Sequence, residues 1–478
     1  MSAGAISLKK SNIDMTTGSI VKNIIVFAIP LLLGNLFQQL YNMVDTYVIG
    51  QTGVNEAYAA VGSVAPIINI LIGTFMGLSS GVGVVISQNY GAKNYQEVKR
   101  ATHTAILLTL VLCVVFTVIG LVTIPLFLNI ILNSKEGGEA IYPHAQKYLS
   151  IYFLGVSGLL IYNMGSGILR AIGDSKRPFY YLVVSAVINI VLDVVFVFSC
   201  NMGVEGVALA TIIAQGVSAI LTLITLFFTT TCVKIDIKSL KFDKSSLFSI
   251  FRLGTPAAIQ MALTAFSNMF VMSYISNVNG NTTYALSGWT TYSKVDQIIF
   301  LPMQSIALSV STFVGQNLGI GDVKRAKKGT NLAFLIALIS TMLLIIPIMI
   351  FAPQISWMFN KDGNVIEYST LFLRYLTPFY VCCTINQVFT AALRGAGNSK
   401  TPMIFMLTSF IVIRQIYLFI TSNFISNDPI PIGLSYPVGW VCCAIGLLIY
   451  YKSVKLEKFR IVKTEQTICN DKQSENVA

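Results

Sequence analysis

Apolar runs of about 20 residues or more alternate with short polar segments along the whole chain, and a helix needs that length to cross roughly 30 Å of hydrocarbon. Twelve such runs can be drawn. The first is expected near 24–49 and the second near 57–86, followed by a polar turn at 87–100 and a third run near 103–128. After an outer loop near 133–142 comes a fourth run ending near 169, and runs at 179–199 and 205–229 complete a first half. Residues 231–249, with Lys234, Lys238, Lys241 and Lys244 among polar neighbours, read as a solvated linker.

Beyond the linker the pattern starts again. Pro256, Asn268 and Met269 repeat Pro30, Asn42 and Met43 at one offset, and Val314-Gly-Gln-Asn-Leu-Gly319 echoes Ile86-Ser-Gln-Asn-Tyr-Gly91. Leu393-Arg-Gly-Ala-Gly-Asn-Ser-Lys-Thr-Pro402 echoes Leu169-Arg-Ala-Ile-Gly-Asp-Ser-Lys-Arg-Pro178. Three landmarks in one order mark a duplication. Six spans per half is an even number, so both halves enter the membrane from the same side, as parallel repeats about an axis along the membrane normal. The expected fold is an all-α polytopic membrane protein of twelve transmembrane helices in two parallel-repeat six-helix bundles. Its expected divisions are an N-terminal segment 1–19, a first lobe 20–230, the linker 231–249, a second lobe 250–453 and a tail 454–478.

Composition agrees with this picture. Charged residues make up 11% of the 478 and mean hydropathy is +0.72, whereas a soluble domain carries about 25% charged residues. The net charge of +12 does not point to nucleic acid, because Lys and Arg collect in alternate loops, the bias that sets topology. Outside that set stand Lys135, Lys147, Lys361 and Arg374 on the other side, with Lys294 and Arg414 inside spans. The basic side is expected to be the cytoplasm, with both termini there and the chain in the inner or plasma membrane. The eight cysteines form no CxxC pair and no zinc-spaced cluster. Trp289, Trp357 and Trp440 fall near the outer boundary and read as an interfacial belt.

Polar residues inside spans carry the candidate chemistry. A carboxylate in a bilayer helix costs about 2.5–3.5 kcal/mol on insertion scales and reads first as functional. Asn189 and Asp193 stand four residues apart, one turn along one helix face, and Asp45 ends another apolar run. Hydrogen bonding between helices is the alternative to a functional role for them. Lys294, Asp296 and Arg414 form a second group, in which an Asp296–Arg414 ion pair is expected. Gln38, Gln39, Asn42, Asn163, Gln260 and Gln387 are candidates to line a cavity, jointly with Lys294, Asp296 and Arg414. Glu205 reads as solvated at a helix start, and His103 and His144 as unremarkable span-end residues.

The paired Gln-Asn-x-Gly segments, the paired Leu-Arg-x-x-Gly-[Asp/Asn]-Ser-Lys-x-Pro segments and the proline in the first helix of each half resemble the multidrug and toxic compound extrusion family over about residues 15–455. The resemblance implies two lobes around a central cavity and drug export driven by sodium ions or protons. It also implies a cation site of the first lobe, made here by Asp45, Asn189, Asp193 and Thr211. Val271 replaces Asp45 in the second half, so coupling is expected in the first lobe.

The expected activity is therefore secondary active efflux of amphipathic, cationic compounds by cation antiport and alternating access, not enzymatic catalysis. The chain is expected to act as a monomer on drug-like small molecules in a lipid bilayer. A lipid-linked oligosaccharide flippase is the alternative. Gly397-Asn-Ser-Lys-Thr401 lacks the Gly-Lys-[Ser/Thr] ending of a phosphate loop, so no ATP and no cofactor is expected, only the coupling ion Na+ or H+.

Overall fold

The computed structural model describes residues 12–52, 54–132, 138–278 and 282–462; the outer loop expected near 133–142 lies partly outside them. The chain crosses as twelve helical spans: α1 (Ile20–Gly50), α2 (Asn55–Gly91), α3 (Tyr95–Leu132), α4 (Gly138–Leu154 with Val156–Ala171), α5 (Lys176–Ser199), α6 (Val204–Phe228), α7 (Lys244–Ile275), α8 (Thr282–Ile320), α9 (Val323–Ile350), α10 (Gly363–Ala396), α11 (Lys400–Ile425) and α12 (Pro429–Ser453). Span α4 bends by 47° at Gly155, where a Cβ would lie 2.3 Å from Ile212 on α6. The outward faces are apolar, with Val122, Leu343 and Phe424 among the exposed side chains, as lipid contact requires.

The duplication reaches into backbone detail. α5 ends in a π-helical turn at Val195–Ser199 and α11 in another at Thr421–Ile425. Asp243 and Asp322 cap α7 and α9 by accepting from the backbone N–H of Ser246 and Arg325, satisfying donors that a helix start leaves free. α4 and α10 end at Gly173 and Gly397, both at positive φ (92° and 101°), where glycine avoids the Cβ penalty.

The basic-end halves of the two first helices cross into the opposite lobe. Ile24, Phe27, Ala28 and Leu31 of α1 belong to the core of the second lobe, while Ile250 and Leu253 of α7 belong to a core of the first. α2 and α7 meet backbone to backbone: a Cβ on Gly77 would lie 2.3 Å from the Ala258 nitrogen, and one on Gly81 2.5 Å from that of Gly254.

The Gln-Asn segments expected as polar turns are instead the last turns of α2 and α8, buried between the lobes. Gln88 donates to the Gly395 carbonyl (2.9 Å) and accepts from the Ile461 N–H (2.8 Å). Gln316 donates to the Ala171 carbonyl (2.9 Å) and accepts from the Met15 N–H (3.2 Å). The segment before α1 thus straps one side of this end and the segment after α12 the other. Among the described residues, all hydrogen bonds joining the two lobes lie in this basic-loop half, the furthest from the loops being Asn35 to Ser305 at 3.5 Å.

Two further expectations change. Trp289 and Trp440 are buried in a ring cluster with Tyr292, Phe372, Tyr380 and Tyr436; only Trp357 is exposed. The linker is docked rather than free: Val233 and Ile235 are buried, and His103 contacts the carbonyls of Ser239 and Lys234 and the N–H of Asp236. Glu205 pairs with Lys147 at 2.6 Å on the surface.

Candidate functional site

α1, α5 and α6 pack together and bring Asp45, Asn189, Asp193 and Thr211 into one group. All four are buried, Asp193 completely. Thr211 Oγ1 is 3.5 Å from Asp45 Oδ2 and also donates to its own helix at the Val207 carbonyl (2.9 Å). The i, i+4 spacing of Asn189 and Asp193 turns both toward α1, and the π-helical turn begins two residues beyond Asp193.

Five buried polar atoms of this group have no hydrogen-bond partner: Asp45 Oδ1, both terminal atoms of Asn189 and both carboxylate oxygens of Asp193. Unpaired buried polar groups cost about 1–3 kcal/mol each and are uncommon in native proteins. Oxygens without partners from two carboxylates and an amide fit a hard monovalent cation or a proton. They do not suit a transition metal, and no cluster of three or more His, Cys, Asp or Glu occurs among the described residues. Tyr41 and Tyr148 lie near enough to interact with the carboxylates, and Tyr148 stacks on Tyr152 at 6.3 Å. The tyrosines on α4 escape a reading based on charge alone, although Tyr148 and Tyr152 share the same i, i+4 spacing.

Toward the basic end, about one helical turn from the carboxylates, opens a cavity of about 800 Å³, counting space continuous with solvent. Gln38 and Asn163 line it, with Asn35, Gln215 and Arg170. The other expected cavity residues lie elsewhere. Asn42 is exposed on α1. Gln260 is buried and accepts from Arg394 at 2.6 Å, and Gln387 is half-buried on α10. Lys294 is exposed, 5.8 Å from the Phe359 ring.

The expected Asp296–Arg414 ion pair is not formed. Asp296 accepts from the Tyr380 hydroxyl, which contacts Tyr292. Arg414 donates to Ser267 (2.5 Å) and Asn268 (3.0 Å) and sits 4.8 Å over the Tyr436 ring. Hydroxyl and amide dipoles with an aromatic face replace the carboxylate.

The comparisons agree with this architecture. The MatE family model matches residues 30–195 and again 256–420. The chain is 29% identical over 449 residues to the probable multidrug resistance protein YpnP of Bacillus subtilis (strain 168), covering 93% of this chain and 98% of that one. It is 24% identical over 393 residues to a FAD transporter of Shewanella oneidensis, covering 81% and 84%. Its fold superposes on a MOP superfamily transporter from Pyrococcus furiosus with a TM-score of 0.85, at 23% identity and 91% and 96% coverage. With the same family model matching each half in turn, the chain belongs to the MatE family of multidrug efflux transporters.

Proposed function

We propose that the protein is a secondary active antiporter that exports amphipathic small molecules, driven by Na+ or H+ taken up at Asp45, Asn189, Asp193 and Thr211. The observation that carries this reading is the set of five buried, unpartnered polar atoms on α1 and α5. Two like charges at low dielectric do not both stay ionised unless a cation lies between them, so the group takes up a proton or a metal cation. One charge moved through 100 mV supplies about 2.3 kcal/mol, and this chain needs no nucleotide.

Loading these residues changes the packing of α1 against α5 and α6. Pro30 interrupts the α1 hydrogen-bond ladder about 22 Å along the helix from Asp45 and gives the helix a place to bend. Because the first half of α1 packs into the second lobe, a bend there alters the lobe contacts as well as the cavity. In this reading the basic end faces the cytoplasm of a plasma membrane, both termini lie there, and the monomer is the working unit. The name of the Shewanella relative extends the compounds to be tried to anionic dinucleotides.

The test is efflux from proteoliposomes with sodium and proton gradients imposed separately, for the wild type and Asp193→Asn. One gradient should drive efflux of a dye or of FAD, and the variant should lose that drive. Efflux that is gradient-driven and unaffected in Asp193→Asn would move coupling away from this site.

A further inference from the structure

The cavity in the first lobe has one charged residue in its wall, Arg170, and no carboxylate. Arg170 stands in the last turn of α4 and is half-buried. Its guanidinium has no hydrogen bond or ion pair with any described residue. Arg177 in contrast is 3.4 Å from Asp174, and Arg394, the counterpart of Arg170 in the second lobe, bonds Gln260. A guanidinium facing a chamber with low-dielectric walls focuses a positive potential into it. Its planar fork matches carboxylate and phosphate oxygens.

The remaining wall suits such a ligand. Asn35, Gln38 and Gln215 supply neutral donors, and Ile72, Leu159 and Leu182 supply apolar surface for a body behind the anionic group. The carboxylates stand outside the cavity wall. Tyr41 and Gln215, each one turn from Asp45 and Thr211, line the cavity, whereas Asp45 and Asp193 do not.

We propose that this cavity is an anion-recognising site, in which Arg170 binds the carboxylate or phosphate of an amphiphilic molecule whose apolar part lies along α1, α4 and α5. The inference rests on the proposed export of small molecules, and takes this cavity as the chamber that holds them. Such a substrate does not compete with the coupling cation for Asp45 and Asp193, so exchange between the two runs through the position of α1.

The test is equilibrium binding to the full chain in phosphatidylcholine nanodiscs, without any gradient, so it is independent of whether efflux is ion-driven. Fluorescein and rhodamine 123 share a ring scaffold and differ in charge. Fluorescein is expected to bind saturably, and Arg170→Gln to weaken it by about tenfold or more, the loss of one charge-assisted contact. Arg170→Lys should retain most of the affinity, and rhodamine 123 should bind Arg170→Gln no more weakly than the wild type. A wild type that binds no fluorescein, or an Arg170→Gln protein that binds it as tightly, overturns the proposal.

Should the variants not fold, the wild type alone decides. 4-Phenylbutyrate should displace fluorescein at about a tenth of the concentration needed for 4-phenylbutylamine, and equal potency overturns the proposal. Adding phosphatidylglycerol to the nanodiscs separates two sources of the same chemistry. Loss of the dye identifies a lipid phosphate as the occupant and retention a free organic acid; both support the anion site.

Discussion

Gln88 and Gln316 make the same pair of hydrogen bonds in opposite directions across the lobe interface. Each amide donates to the carbonyl at the end of the other lobe's fourth helix, Gly395 or Ala171, and accepts from a backbone N–H of a chain-terminal strap, Ile461 or Met15. Both side chains are buried, so water cannot replace a lost partner. Gln88→Ala leaves two backbone groups unsatisfied, a cost of about 1–3 kcal/mol for each buried group. The expected result is faster hydrogen exchange at 456–461 and a population shift toward a basic-end-open form. Spin-label distances across that end would register the shift. Unchanged exchange in both Gln88→Ala and Gln316→Ala would show that the bonds do not hold the end shut.

The carboxylate group separates activity from stability. Asp193→Asn keeps the shape and leaves a single carboxyl in the group, so the fold should hold. Gradient-driven efflux should fall by about two orders of magnitude, since antiport needs a group that releases its cation. Thermal unfolding measured beside efflux checks both arms. A variant that melts much earlier would mean that the carboxylate is structural.

Gly77 should tolerate nothing larger. Its Cβ would meet the Ala258 backbone, which has no rotamer to yield, so Gly77→Val must separate α2 from α7. A loss of about 1–3 kcal/mol from overpacking is expected, together with a strong drop in transport. Gly216→Ala on α6, where a Cβ meets nothing within 4 Å, serves as the control and should be near neutral.

Asp243 gives a pH dependence outside the membrane. Its carboxyl is held below its usual value by the Ser246 backbone N–H and hydroxyl. A lowered folded-state value means the cap's contribution is present above the unfolded carboxylate range, near pH 4, and is lost as pH falls through the folded value. Asp243→Ala should cost about 1 kcal/mol at neutral pH and remove this acid-side loss. Hydrogen exchange at 244–248 on both sides of pH 4 would test it.

The span count, the duplication and the pairing of Asn189 with Asp193 follow from run length, repeat spacing and helical periodicity, all of which are local, whereas the addition of Asp45 to that pair comes from the family resemblance. What escapes such a reading depends on the partner's position. Polar Gln88-Asn89 resembles a surface turn until another lobe covers it. Trp289 and Trp440 have the depth of an interfacial belt, yet they point inward because α8, α10 and α12 present a common aromatic face. Arg414 calls for a carboxylate by charge alone, but Ser267, Asn268 and the Tyr436 ring meet the same need. Likewise His103 holds the linker through backbone carbonyls, which no side-chain pattern encodes.

The glycine contact between α2 and α7 has a mechanical consequence. Helices that interlock through long side chains behave like meshed gears, and one must climb past the other's teeth to turn. At Gly77, Gly81 and Gly254 the teeth are absent and backbone lies on backbone. If the two halves rock against each other as proposed, this surface offers them backbone on backbone with no side chains to unmesh, and the straps with the buried glutamines are what hold one position.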